Sequence, residues 1–111
     1  MPLLSVSTSI EIQEKKLFLE NCSRLVSKLT NKPEQYVMVR LFDETPMYFN
    51  RNESPSCFID FKSIGSLNPS DMSKEICSFI SNHLGIPTNR VYICFGDINA
   101  SNWAWDGRTF G

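Results

Sequence analysis

The chain has 111 residues, 41% of them hydrophobic and 21% charged, with a formal net charge of -1. That supplies one compact core and is too short for two domains, so residues 1–111 are expected to form a single α/β unit. No basic run follows a phosphate backbone and no apolar stretch is long enough to cross a bilayer, so neither nucleic acid nor membrane is an expected partner.

The chain opens MPLLSV, with Pro2 ahead of a strand-like run, LLSVSTSI at 3–10. Two readings of Pro2 stand side by side. Proline has no amide hydrogen for a sheet and can simply punctuate a strand entrance. If Met1 is removed, Pro2 instead becomes a secondary amine able to act as a base. Residues 13–30 follow with Phe18, Cys22, Leu25, Val26 and Leu29 at helical spacing, which predicts an amphipathic helix ending at a left-handed Asn31 before Pro33. A strand is expected in KPEQYVMVRLF, from Lys32 to Phe42, then an exposed loop at 50–54 and a further strand in CFIDFKSI at 57–64. Met72, Ile76, Phe79, Ile80 and Leu84 predict a second helix over 69–84, with Asn68 as its cap, Pro69 in its first turn and Gly85 at its exit. A fourth strand is expected in IPTNRVYICF, 86–95. Last comes a hairpin turning at Asp106-Gly107, with Trp103, Trp105 and Phe110 around it.

The two halves repeat. Pro33 and Pro87 are 54 residues apart (87 minus 33), and the same offset pairs Phe18 with Met72, Cys22 with Ile76, Leu25 with Phe79 and Val26 with Ile80. Carried upstream, it sets 3–10 against 57–64. Each half then reads strand, helix, strand, over about 2–50 and 56–97, with the tail from 98 to 111 as a docking hairpin. A helical crossover implies parallel strands, so two such units make a four-stranded sheet with both helices on one face. Val6, Val37, Val39, Ile59, Val91 and Ile93 are read as more apolar strand surface than two helices cover, and further copies of the chain are the expected cover.

The four cysteines, Cys22, Cys57, Cys77 and Cys94, form no CxxC pair, and His83 is the only histidine. Neither a zinc site nor a histidine-based triad is expected, and free buried thiols are, Cys94 among them as an inert one. No metal or organic cofactor is called for. Three Asn-x-Ser sequons, at Asn21, Asn52 and Asn99, carry no weight without a secretion signal, and the cytoplasm is the expected compartment.

Pro2 before the first strand, KPEQY at 32–36, SIG at 63–65, NRVYI at 89–93, DINASNWAW at 97–105 and a terminal TFG occur in one order along the whole chain. Together they resemble the macrophage migration inhibitory factor family of the tautomerase superfamily. The resemblance implies a homotrimer whose sheets line a central channel. It implies a cofactor-independent keto-enol tautomerase of phenylpyruvate-type aromatic α-keto acids, with Pro2 as base once Met1 is lost. An ordinary α-amino group has a pKa of about 7.7 to 8.0, so the amine must be depressed to act near neutrality, by burial and by a cation in the place of Lys32. The family pattern also has Lys32 engage the substrate carboxylate or carbonyl, the Ile64 N–H donate to a substrate oxygen, and Tyr92 arrive from the adjacent subunit. Tyr36, Trp103, Trp105 and Phe110 are candidate apolar walls.

Cys94 stands where the family commonly has asparagine, and Trp103 where a smaller aliphatic is typical. Both bear on substrate range. The CxxC of some members is absent, so a thiol-disulfide role has little support. The rival reading is a cytokine-like ligand whose trimer binds a receptor, released without a signal peptide, with a vestigial pocket. If Met1 stays attached, the Pro2 nitrogen is an amide and no base remains.

Overall fold

The computed structural model describes all residues, 1–111. The chain forms β1 (Pro2–Thr8), α1 (Lys15–Thr30), β2 (Met38–Phe42), β3 (Cys57–Ser63), α2 (Pro69–Leu84), β4 (Val91–Asp97) and a small hairpin of β5 (Ala104–Trp105) and β6 (Arg108–Thr109). The main sheet runs β2-β1-β3-β4. β1 is parallel to β2 and β3 to β4, while β1 and β3 meet antiparallel. Each crossover unit is thus internally parallel, as the repeat requires, and the two units join head to tail along the middle.

The helices owe their form to the apolar stripes. Phe18, Cys22 and Val26 of α1 and Met72, Ile76 and Ile80 of α2 are buried against Leu4, Val6, Ile59 and Phe61 of the central strands. Each fully buried Leu, Ile, Val or Phe contributes about 1.5 to 3 kcal/mol by leaving water, so this layer dominates the fold's stability. Both helices end on left-handed residues, Asn31 at φ 56° and Gly85 at φ 71°.

Four expectations are corrected. First, α1 begins at Lys15 rather than 13, because Asp43 holds the preceding segment, accepting from the Ile12 N–H at 3.1 Å and pairing with Lys15 at 3.3 Å. Second, Asn68 does not cap α2 with its side chain, which donates to Asp71 at 2.8 Å instead. Third, the first strands run 2–8 and 57–63, and their equivalence is offset by 55 (57 minus 2), not 54, because the connection into the helix is 9–14 in the first half and only 64–68 in the second. A slip of one residue reverses which face a side chain takes.

The fourth correction concerns the sheet face. Val6, Val37, Val39, Ile59, Val91 and Ile93 all pack into or against the helix-side core. The open face instead carries rows set by the strand register. Met38, Leu3 and Lys62 form one, Arg40, Ser5, Asp60 and Cys94 the next, and Phe42, Ser7, Phe58 and Tyr92 the third. Its middle is polar, with Arg40 Nε donating to Ser5 Oγ at 3.0 Å and Lys62 paired to Asp60 at 3.5 Å. Its Tyr92 end is aromatic and exposed. Cys94, in the row of Arg40 and Asp60, is therefore exposed rather than buried, and Cys77 is half-buried, while Cys22 and Cys57 are buried as expected.

Candidate active site

Three backbone features bring the amino terminus, Lys32 and Ile64 together. Pro2, the first residue of β1, lies directly opposite Ser63, the last residue of β3. Just beyond, Gly65 and Ser66 take left-handed φ values of 69° and 60° and turn the chain sharply. On the other side, the left-handed Asn31 ends α1, and Ser27 Oγ donates to the Lys32 carbonyl at 2.6 Å, fixing where the lysine departs. Its ammonium donates to the Ile64 carbonyl at 2.7 Å.

Met1 precedes Pro2, so the free amine here belongs to Met1. Its pKa is lowered from the ordinary 8.0 to about 6, by burial first, then by a hydrogen bond from Lys32 and by the lysine's positive charge. Each cause opposes a second cation at this spot. Pro2 itself is buried.

An apolar cleft of about 300 Å³ opens beside the terminus, lined by Met1, Pro2, Leu3, Gln35, Tyr36, Val37, Met38, Trp103, Ala104, Trp105 and Phe110. Tyr36 closes a short turn, Glu34–Tyr36, that leads into β2. The tail is folded over the cleft by the hairpin expected at Asp106-Gly107, whose φ values of 52° and 79° suit a tight turn. A hydrogen bond from the Phe110 N–H to the Trp103 carbonyl, 3.0 Å, holds the two walls together.

Of the residues singled out from the sequence, Pro2, Tyr36, Trp103, Trp105 and Phe110 line this one cleft. Lys32 holds the Ile64 carbonyl and acts on the amine of Met1, a residue of the cleft wall, but neither Lys32 nor Ile64 lines the cleft itself. Tyr92 is elsewhere. It lies in register with Phe58, five positions along β3 from the Ser63 that faces Pro2 (63 minus 58), or roughly 16 Å at the strand rise. There it meets Phe49 edge-on at 4.8 Å in a second cleft of about 290 Å³, with Met47, Tyr48, Phe58 and Arg90. Leu3, Gln35, Val37, Met38 and Ala104 were missed as wall residues. Val37 and Met38 follow Tyr36 directly and Ala104 lies between Trp103 and Trp105, so chain adjacency to the named aromatics was the available signal; Leu3 adjoins Pro2 and Gln35 adjoins Tyr36 in the same way.

The family model for macrophage migration inhibitory factor matches residues 1–111. The chain is 35% identical over 115 residues to a macrophage migration inhibitory factor homolog of Brugia malayi, covering 100% of both proteins. It is 31% identical over 114 residues to the macrophage migration inhibitory factor of Xenopus tropicalis, covering 99% of each. Its fold superposes on the crystal structure of a homologue from Prochlorococcus marinus with a TM-score of 0.94 at 37% identity, over 98% of this chain and 99% of that one. For the Trichinella spiralis structure the TM-score is 0.89 at 31% identity, over 97% and 99%. End-to-end matches of sequence and of fold, with the mixed four-stranded sheet and paired helices common to both, show that the chain belongs to the macrophage migration inhibitory factor family.

Proposed function

We propose that the chain, once Met1 is removed, is a cofactor-independent keto-enol tautomerase of phenylpyruvate-type α-keto acids, with Pro2 as its base. The observation that carries this reading is the amine of lowered pKa beside Lys32, at the edge of an aromatic-walled cleft. Loss of Met1 moves the free amine one residue inward, to a nitrogen whose ring is already buried. The same burial and the same lysine then act on it, and each disfavours its protonated form. The neutral amine takes the proton from the carbon beside the keto group. The electron pair moves to the keto oxygen, and the proton is returned there to give the enol; the reverse sequence gives the ketone. Lys32 and the Ile64 N–H meet the carboxylate and the charge that develops on oxygen, while Tyr36, Trp103, Trp105 and Phe110 hold the ring.

The active form in this reading is a homotrimer. Tyr92 is too far from Pro2 to serve its own chain's cleft, and it stands exposed beside Tyr48, Phe58 and Phe42 at the far end of the open face. A neighbouring copy that lays this end against the Pro2 cleft covers the aromatics and completes the pocket, as the cyclic repetition of one interface allows. Cys94, on the same strand two residues on, replaces a strong amide donor with a weak one, and Trp103 narrows the cleft. Cys94 bears on hydroxylated rings and Trp103 on larger ones.

The test is intact mass and phenylpyruvate ketonisation on one purified sample, with Pro2→Ala alongside. Turnover by protein lacking Met1, falling at least 100-fold in the variant, is the expected result. Absence of turnover from protein shown to lack Met1 overturns the catalytic reading and favours a receptor-binding trimer.

A further inference from the structure

We propose that Asp97 is a positioning residue of this site, fixing the turn that aims the Ile64 N–H at the substrate oxygen. The proposal rests on the catalytic reading above and concerns a residue given no role by the sequence motifs.

Two successive peptide units carry the turn, and their four polar groups divide unequally. The Ser63 carbonyl accepts from the Ile98 N–H at 2.9 Å. The Ile64 carbonyl accepts from Lys32 Nζ at 2.7 Å. The Gly65 N–H donates to Asp97 Oδ1 at 3.0 Å. Only the Ile64 N–H makes no hydrogen bond within the chain.

The position of Asp97 explains why a side chain is needed. The β3–β4 ladder ends at the pair Ser63 and Asp97, and immediately afterwards Gly65 and Ser66 enter left-handed conformations that no strand partner can hold. The carboxylate carries the pairing one step past the end of the ladder. It and Lys32 grip opposite ends of the Ile64–Gly65 peptide, an anion on its N–H and a cation on its carbonyl, and both bonds are of the stronger charge-assisted kind. The adjoining peptide is polarised by the Ile98 bond to the Ser63 carbonyl, which strengthens the Ile64 N–H as a donor. A donor held in advance costs no reorganisation when charge appears on the substrate. Without Asp97 the Ile64–Gly65 peptide is held by Lys32 alone, and the donor's own peptide keeps only the Ile98 bond at its carbonyl, so the aim of the Ile64 N–H is less tightly fixed.

The test separates geometry from charge. Asp97→Asn keeps an acceptor oxygen in place and removes the charge, whereas Asp97→Glu keeps the charge and displaces the oxygen by one methylene. In ketonisation of phenylpyruvate by protein lacking Met1, Asp97→Asn is expected to stay within about threefold of the parent kcat. Asp97→Glu and Asp97→Ala are expected to lose about tenfold or more in kcat with little change in KM, as for a donor used mainly in the transition state. Equal loss in Asp97→Asn and Asp97→Ala, or unchanged kcat in Asp97→Ala, overturns the proposal. Amide hydrogen exchange, read by NMR on the same proteins, is independent of turnover. The Gly65 N–H should exchange slowly in the parent and Asp97→Asn and at least tenfold faster in Asp97→Ala. If exchange at Gly65 does not respond, the proposal fails whether or not the protein is active. If exchange responds as expected but the parent has no turnover, it is the tautomerase reading that fails, and the catalytic role of Asp97 with it.

Discussion

At the residue scale, the amino terminus couples pH to both chemistry and stability. In the chain that retains Met1, the folded amine binds its proton more weakly than an unfolded one, with a pKa of about 6 against 8.0. Between those values the unfolded chain takes up a proton that the folded chain refuses, so stability should fall as pH drops from about 8 to about 6 and then level off. Urea unfolding across that range checks the sign. Lys32→Ala should flatten the slope, because two of the three depressing influences come from that lysine. If protein lacking Met1 turns over phenylpyruvate as proposed, the same substitution should move the acidic limb of the kcat/KM profile to higher pH, since a more basic Pro2 stays protonated longer. The thiols behave differently. Burial pushes Cys22 and Cys57 up to about 12, so neither should be alkylated by iodoacetamide at pH 7.5 until the protein is denatured, which peptide mass mapping would show.

At the element scale, the helix exits and one buried arginine do most to fix the loops. Gly85 ends α2 at φ 71°, and a Cβ there would meet nothing within 4 Å. Gly85→Ala therefore suffers the left-handed backbone penalty alone, about 1 kcal/mol, seen as a modest fall in thermal midpoint. Arg90 is more consequential. Nearly buried, it donates to the carbonyls of Pro55 at 2.9 Å, Ser54 at 3.0 Å and Phe49 at 3.2 Å and to Ser56 Oγ at 2.8 Å. Its guanidinium also lies 5.3 Å from the centre of the Phe49 ring, and that ring packs against Tyr92. One side chain thus ties the loop between β2 and β3 to the base of β4. Arg90→Ala should cost about 3 kcal/mol in chemical denaturation, because several oxygens lose their partner at once. Arg90→Lys should recover only part of this, having no planar fork to span them.

At the scale of the whole molecule, the single chain leaves two surfaces open: the Pro2 cleft, and the aromatic end of the open face that carries Tyr92. If a neighbour satisfies both, light scattering should report three times the chain mass. Tyr92→Glu should then dissociate the assembly and lose turnover together, since a carboxylate buried against aromatics is strongly disfavoured. Mixing inactive Pro2→Ala chains with inactive Tyr92→Ala chains should restore partial activity, because some interfaces in the mixed trimers pair an intact Pro2 with an intact Tyr92. No restoration would place Tyr92 outside the catalytic pocket.

The sequence alone determined the elements and their order. Helical periodicity, the Pro33 and Pro87 punctuation and the Asp106-Gly107 turn are local signals, each set by backbone geometry within a few residues. It also carried the wall aromatics, through motifs that run the length of the chain. What it misjudged was how much apolar strand surface the two helices cover: Val6, Val37, Val39, Ile59, Val91 and Ile93 all pack into or against the helix-side core, and the residues alternating with them set the open face. Only the tertiary structure decided that β1 and β3 pair antiparallel, that Tyr92 and Pro2 lie at opposite ends of the sheet, and that Asp97 reaches Gly65. Those facts depend on register between strands distant in sequence. Register is the outcome of packing the whole core at once, and no short stretch of residues records it.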